Sequence, residues 1–339
     1  MGVDISGILM RHETTVKEFS GQTLAIDAYN MIYQFLSNIR QPDGTPLMDR
    51  NGMITSHLSG LFYRTVSMIQ IGIKPVYVFD GKPSSLKSRT LEERKMVREK
   101  NKIELEKAIE LGDAEKIRSF SSRINYITPQ IVTESRDLLH LMGVPTVNAI
   151  SEGEAQGAWM SDSGYVTGVV SQDFDTLLFG CKNLLRNFAF NGRRKLPGRN
   201  VYVNVSPESI SLEENLSSLG ITREQLVDIG ILVGTDFNKG IDRVGAKTAL
   251  NLVKKYGNIF GVLAMKGITI ENLKEIRELF LNPPVNKDIN TEMSPPDTDG
   301  IKYFLIEQHS FSEQRISQYV QTLKDSYGKL SQKTLDRFF

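Results

Sequence analysis

Hydrophobic and polar positions along the chain follow two alternating rhythms. Short apolar, β-branched runs fall at Thr23–Ile26, Pro75–Phe79, Pro145–Val147 and Val166–Val170. Each is followed by a polar or acidic residue and then by a stretch with helical spacing. This alternation predicts an α/β fold with a mostly parallel central sheet flanked by helices. In open sheets of this kind the functional crevice lies beyond the carboxyl ends of the strands.

Two stretches break the rhythm. From Lys82 to about Thr128, basic residues such as Lys87, Arg89, Arg94, Lys95 and Arg98 are interspersed with glutamates, and apolar positions are too sparse for a buried face. The pattern predicts exposed helix standing off the core, broken in two at Gly112-Asp113. The other break, Asn282 to Gly300, carries Pro283-Pro284 and Pro295-Pro296 and reads as a linker or surface loop. Helical spacing resumes at Ile301–Tyr327, before a polar tail. The expected organisation is a core over 1–281, the loop 282–300, a C-terminal helical part of the core over 301–330 and a tail over 331–339. No internal repeat or low-complexity segment is apparent.

With 339 residues, 40% of them hydrophobic and 24% charged, the chain can bury a substantial core, which excludes disorder throughout. A single cysteine, Cys181, excludes a disulfide scaffold and fits a reducing compartment. No apolar run is long enough for a membrane span, and the first residues give no secretory signal. Met1-Gly2-Val3-Asp4-Ile5-Ser6 matches an N-myristoylation pattern but lacks the polybasic second signal of a stable anchor. No membrane partner is therefore expected.

The distinctive chemistry is where the acids sit. Asp27 ends the run Leu24–Ile26, Asp80 ends Val76–Phe79, and Glu152 and Glu154 follow the run ending at Ile150. Asp173 and Asp175 follow Gly168–Val170, and Asp236 follows Ile229–Val233. Parallel strands would gather most of these carboxylates at one sheet edge. Seven in one place would repel too strongly to stay ionised unaided. An all-oxygen cluster suits hard divalent cations, Mg²⁺ or Mn²⁺, and its size suggests two ions about 4 Å apart. Setting the seven acids aside from a net charge of +1 leaves the remainder at +8. A near-neutral total therefore does not exclude a phosphate-backbone partner.

Each acid also has a plain structural reading. Asp27 and Asp80 could be turn residues. Ser151-Glu152-Gly153-Glu154 fits a capping box, with Ser151 at N-cap and Glu154 at N3. Asp173-Phe174-Asp175 alone would fit a sugar-transfer enzyme or, one residue short, a phosphatase.

Five ordered blocks carry a family resemblance: Ala25-Ile26-Asp27-Ala28, Tyr77-Val78-Phe79-Asp80-Gly81-Lys82-Pro83, Ser151-Glu152-Gly153-Glu154-Ala155, Gln172-Asp173-Phe174-Asp175 and Val233-Gly234-Thr235-Asp236. Together they resemble the flap endonucleases of the structure-specific 5′ nuclease superfamily, the archaeal and eukaryotic branch closest. The resemblance implies a PIN-like 5′ nuclease fold that cuts branched DNA where a 5′ single-stranded flap meets duplex, by two-metal-ion phosphodiester hydrolysis, in lagging-strand maturation and repair. It implies two Mg²⁺ ions, with Mn²⁺ as a possible substitute, on Asp27, Asp80, Glu152, Glu154, Asp173, Asp175 and Asp236. Lys87 and Arg94 would contact the scissile phosphate from the base of a helical arch over 82–128, and Tyr33 would stack on a base. Gly2 would lie close to the site.

Residues 222–262 resemble the family's helix–turn–helix duplex clamp, with Gly245 and Lys247 facing phosphates. Arg243 stands where many members have glycine, and Ala246 where some have proline. A positive φ at that position would be costly for arginine. Arg40, Thr55 and Arg64 are further DNA-contact candidates, the last two in a segment that in relatives helps grip a one-nucleotide 3′ flap. Arg193-Arg194-Lys195 reads as a basic hairpin.

Gln332-Lys333-Thr334-Leu335-Asp336-Arg337-Phe338-Phe339 resembles the motif by which replication proteins bind the sliding clamp, PCNA. Leu335, Phe338 and Phe339 would form the hydrophobic plug, with Gln332 hydrogen-bonding beside it. The resemblance implies a monomer at the cytoplasmic nucleoid of an archaeal-type cell, or in the nucleus of a eukaryotic one. A catalytically silent junction binder would not need all seven acids, and a sugar transferase or phosphatase explains neither the exposed helices nor the tail.

Overall fold

The structure is a computed structural model and describes residues 2–121, 127–188, 192–195 and 202–335. The strands are β1 (His12–Glu13), β2 (Thr23–Asp27), β3 (Lys74–Phe79), β4 (Thr146–Asn148), β5 (Gly168–Val170), β6 (Asn183–Arg186), β7 (Gly192–Lys195), β8 (Tyr202–Val205) and β9 (Glu208–Ser211). The helices begin with α1 (Ala28–Asn38), α2 (Ser56–Gln70), α3 (Ser88–Glu110), α4 (Ala114–Ser121), α5 (Pro129–Leu141), α6 (Gly153–Asp162) and α7 (Asp175–Leu178). They continue with α8 (Leu212–Leu219), α9 (Arg223–Val233), α10 (Ala246–Tyr256), α11 (Ile259–Lys266), α12 (Leu273–Leu281), α13 (Thr298–Lys302) and α14 (Glu313–Leu335).

Seven strands form one sheet in the order β1-β9-β6-β5-β2-β3-β4. The run from β6 to β4 is parallel, while β9 and β1 are antiparallel additions at one side. The mostly parallel α/β sheet expected from the sequence is therefore present. From β2 the chain winds outward through β3 and β4, then returns to place β5 and β6 on the other side. The direction of winding reverses between β2 and β5, the place where crevices open at the carboxyl ends of such sheets.

Period-2 alternation gives the sheet two apolar faces. Ala25, Val76, Val78, Val147 and Val169 point to a core shared with α6, α9 and α10. Leu24, Ile26, Tyr77, Phe79 and Val170 point to a second core shared with α1, α2, α5 and α14. Neither face is left to solvent, which is why these strands read as nearly continuous apolar runs.

The charged stretch is helical as expected: α3 buries only Ala108, and it pairs with α4 after a break at Gly112, whose φ is +64°. Asp113 then accepts the Lys116 N–H at 3.0 Å, starting α4. The basic Arg193-Arg194-Lys195 segment is one strand of the separate β7–β8 hairpin.

The proline-rich stretch is a surface loop, one of the two forms expected, and it is pinned to the core. Asn286 exchanges two hydrogen bonds with the Gln156 amide, and the Ser294 and Asp297 N–H groups donate to the Gly143 and Leu141 carbonyls. The C-terminal helical part is interrupted at His309–Ser312, where Ser310 has a φ of +59°, and α14 then runs to Leu335 without a break at 330. The capping box at Ser151 does not form. Helix α6 starts at Gly153, Ser151 Oγ has no partner, and the Gly153 N–H goes to Asp80 at 2.7 Å. A carboxylate from the neighbouring strand outcompetes the local hydroxyl.

Arg243 does occupy the left-handed region, at φ +59°, in the turn between α9 and α10. Such a conformation costs a non-glycine residue on the order of 1–3 kcal/mol, partly offset by the greater chain entropy that glycine would lose. Arg243→Gly is expected to stabilise the protein by about 1 kcal/mol, read as a small rise in thermal midpoint. A fall in midpoint would show that the arginine side chain makes up for its backbone.

Candidate active site

The carboxylates meet where the strands end. Asp27 closes β2 and caps α1: its Oδ1 accepts the Asn30 N–H at 2.9 Å and its Oδ2 accepts the Ser171 hydroxyl at 2.9 Å. Asp80 follows β3 and is tied to the first N–H of α6. Asp173 and Asp175 follow β5, on the other side of the reversal. Asp175 Oδ1 accepts the Val3 N–H at 2.9 Å, and the Gly2 N–H points to Asp173 Oδ1 at 3.4 Å. A side chain at position 2 would meet Asp175, since a Cβ there would stand 2.6 Å from Oδ2. A Cβ at Gly153 would likewise stand 2.6 Å from Asp80 Oδ1, so a side chain at either position would push a carboxylate aside.

Two cations from the base of the exposed helices close the site. Lys87 Nζ lies 2.5 Å from Glu152 Oε2 and 3.3 Å from Asp236 Oδ2. Arg94 Nη2 contacts both Asp236 oxygens, at 2.6 and 2.7 Å. Thr90 adds a hydroxyl bond of 2.6 Å to the Asp236 carbonyl, anchoring the start of α3 on the turn after α9.

Electrostatics follow from burial and crowding. Asp27 is pushed up to about 7 by burial, then by Asp80 and Asp173. Asp175 is pushed up to about 7 by burial and by the charges of Asp236 and Asp173, against the Val3 hydrogen bond. Asp80 rises to about 6 through burial and Glu152, with Lys87 pulling back. Burial, Asp27 and Asp80 hold Glu154 well above its usual range. For Lys87, burial pulls the ammonium down, but Glu152, Glu154 and Asp236 outweigh it and hold it above its ordinary value.

The site is thus short of positive charge. As the side chains stand, no three acidic, histidine or cysteine groups among the described residues converge closely enough to hold an ion. The donor set nevertheless fits a hard cation: it is all oxygen, Glu152 Oε1 is buried without a partner, and among the described residues the ion pairs of Lys87 and Arg94 go to Glu152 and Asp236.

The structure brings all seven predicted acids, Lys87, Arg94 and Gly2 into this one region. Tyr33 is exposed on α1, 45% accessible. Gly245 and Lys247 lie at the start of α10 and line an open cleft with Asp4, Ser6 and Gly7. The 40–55 segment uses its candidates differently. Arg40 donates to the Ser37 and Gly44 carbonyls, at 3.1 and 2.7 Å, and Thr55 is buried at the start of α2. Arg64 is half-buried on α2, which lowers its pKa. Gln332 and Leu335 fall in the last turns of α14, while Phe338 and Phe339 lie outside the described residues. Sequence reasoning missed Asn30, Thr90 and Ser171. Only Ser171 carried a signal, its place between β5 and Asp173.

Residues 1–101 match the XPG N-terminal domain and residues 143–236 match the XPG I-region. The solved flap endonuclease-1 of Methanococcus jannaschii superposes with a TM-score of 0.77 at 35% identity, over 98% of this chain and all of that one. The catalytic core of Rad2 in complex with DNA substrate shares the fold, at TM-score 0.71 and 21% identity, over 95% of this chain and all of that one. Fold and site together define a 5′ nuclease-type protein. Over their full lengths, the chain is 57% identical to flap endonuclease 1 of Picrophilus torridus and 48% identical to that of Archaeoglobus fulgidus. The chain belongs to the flap endonuclease family.

The raised carboxyl pKa values fix a pH dependence. Between the ordinary value of 3.8 and about 7, the folded metal-free chain keeps protons on Asp27 and Asp175 that the unfolded chain has released. Their stabilising contribution is complete below the ordinary value and is lost as pH rises through about 6 to about 7. In chelator, the thermal midpoint is expected to fall from about pH 5 to about pH 8, and Asp175→Asn should flatten that fall. A midpoint that rises over this range would contradict the crowding.

Proposed function

We propose that this protein is a 5′ flap endonuclease, hydrolysing a phosphodiester where a 5′ single-stranded flap joins duplex DNA. The observation that carries the reading is the crowding of carboxylates that raise one another's pKa where the sheet's winding reverses, with Lys87 and Arg94 at the base of α3 closing over them. Asp27, Asp80, Glu152, Glu154, Asp173, Asp175 and Asp236 would hold two Mg²⁺ ions, with Mn²⁺ able to substitute. Bound there, the ions supply Lewis acidity toward the phosphate and lower the pKa of water.

The protein's own groups orient the substrate and offset its charge. Lys87 and Arg94 are poised to exchange their carboxylate partners for phosphate oxygens. Arg94 presents two donors in a planar fork that matches such an anion. The α3–α4 pair forms the arch through which the flap passes, and Tyr33 stacks on an unpaired base. The turn from α9 to α10 presents backbone N–H groups and Lys247 to duplex phosphates without reading sequence. The tail from Gln332 to Phe339 recruits the enzyme, as a monomer, to the sliding clamp at the cytoplasmic nucleoid, serving lagging-strand maturation and repair. Among the described residues no helix is long and apolar enough to cross a membrane.

The first test is Mg²⁺-dependent cleavage of a 5′-labelled double-flap DNA beside the same duplex without a flap. Flap release near the junction, lost with chelator, supports the enzyme. Tight binding without product would favour a silent junction binder. Asp175→Asn and Asp80→Ala should keep flap binding and lose cutting by about 100-fold or more. Arg94→Ala should slow single-turnover chemistry by about 10²–10³-fold with little change in Kd. Deleting residues 332–339 should spare intrinsic cutting and remove clamp stimulation, and unchanged stimulation would sink the role of the tail.

A further inference from the structure

Asp173 is weakly held by its own carboxylate. Its two supports are long, 3.4 Å from the Gly2 N–H and 3.5 Å from the Asn30 amide. What aims it is therefore the backbone of the loop after β5. That loop is gripped on both sides by a residue with no part in the reading so far. Arg186, the last residue of β6, donates through Nε to the Gln172 carbonyl at 3.1 Å. The same guanidinium lies over the Phe174 ring, 4.1 Å from its centroid. Gln172 and Phe174 are the immediate neighbours of Asp173.

Arg186 is itself braced. Nη1 stands 3.5 Å from Glu208 Oε2, and Glu208 is its register partner across the β6–β9 ladder. The other Glu208 oxygen pairs with Arg11 at 3.4 Å. Phe174 is buried, and the Arg186 side chain is only 18% exposed, so the arrangement is packed rather than waving in solvent. One planar group uses its edge for a carbonyl and its face for a ring at the same time. A lysine has neither the plane nor the fork.

From this geometry we infer that Arg186 is a positioning residue: by clamping Gln172 and Phe174 it directs the Asp173 carboxylate into the acid cluster and sets that cluster's affinity for a divalent cation. The inference rests on the metal-nuclease reading above. Arg186 acts through the loop, its charge also facing the Asp173 carboxylate, and touches no reacting group.

The test is Mn²⁺ binding to the DNA-free protein, followed by electron paramagnetic resonance of free Mn²⁺ and by calorimetry, for wild type, Arg186→Lys and Arg186→Gln. Partners that orient metal ligands are typically worth about 10–100-fold in affinity. Both variants are expected to bind Mn²⁺ about tenfold more weakly, with circular dichroism and flap-DNA affinity in Ca²⁺ unchanged. Glu208→Gln should give a smaller loss in the same direction, because it loosens the brace and leaves the clamp. Lysine rescuing full affinity would overturn the inference, since charge alone would then suffice. So would unchanged Mn²⁺ affinity with weaker, less salt-dependent flap binding, which would make Arg186 a phosphate contact. Wild-type protein that binds no Mn²⁺ would overturn both this inference and the reading it rests on. Wild type that binds Mn²⁺ and cuts flaps while both variants bind Mn²⁺ equally well would overturn this inference alone.

Discussion

Like charges held together against their own repulsion are what the rest of this structure serves. Burial and mutual proximity drive four of the seven carboxyls upward. Several of the seven are tied to something the fold supplies. Asp27 takes the third N–H of α1 and Asp80 the first N–H of α6, at helix starts where the dipole favours an anion. Asp175 takes the Val3 N–H, and Glu152 and Asp236 take Lys87, just before α3, and Arg94 in its first turns. The cost of assembling the cluster is met by hydrogen bonds and charge brought from five separate parts of the sequence.

That distribution explains the architecture around the site. A parallel sheet whose winding reverses leaves two neighbouring strand ends facing one crevice, and β2 and β5 contribute Asp27 and the Asp173–Asp175 pair there. Helix α3 can be almost wholly solvated along its length and still be fixed at its base, because Lys87, Thr90 and Arg94 all anchor within two turns. The exposed pair of helices is thus rooted electrostatically rather than by apolar packing. Neutralising Asp236 would loosen the root as well as alter the site.

Much of this was legible in the sequence, because strand ends and acids are both local signals. The apolar runs marked β2, β3 and β5, and the acids after them marked the crevice. Glu152 and Glu154 were legible as acids, but their local context misled. Ser151-x-x-Glu154 has the spacing of a capping box, yet Asp80, 73 residues from Gly153, takes the N–H instead. The same limit hid Arg186 and Thr90, whose roles exist only across a strand pair or between a helix and a distant turn. The ties of the stretch from 282 to 300, to the Gln156 amide of α6 and to the Leu141 and Gly143 carbonyls, leave no periodic trace in the sequence.

The contact between the Val3 N–H and Asp175 joins residues 172 positions apart, and Gly2 reaches Asp173 over 171. Val3, Ile5 and Leu9 are also buried in the core beside α6 and α9. Gly2 and Val3 precede the loop after β5 that they dock against by 171 and 172 positions. Contacts this distant in sequence are slow to form and leave apolar surface exposed meanwhile. Asp175 and Asp173 gain the backbone donors of Val3 and Gly2 only when the two ends of that long interval close.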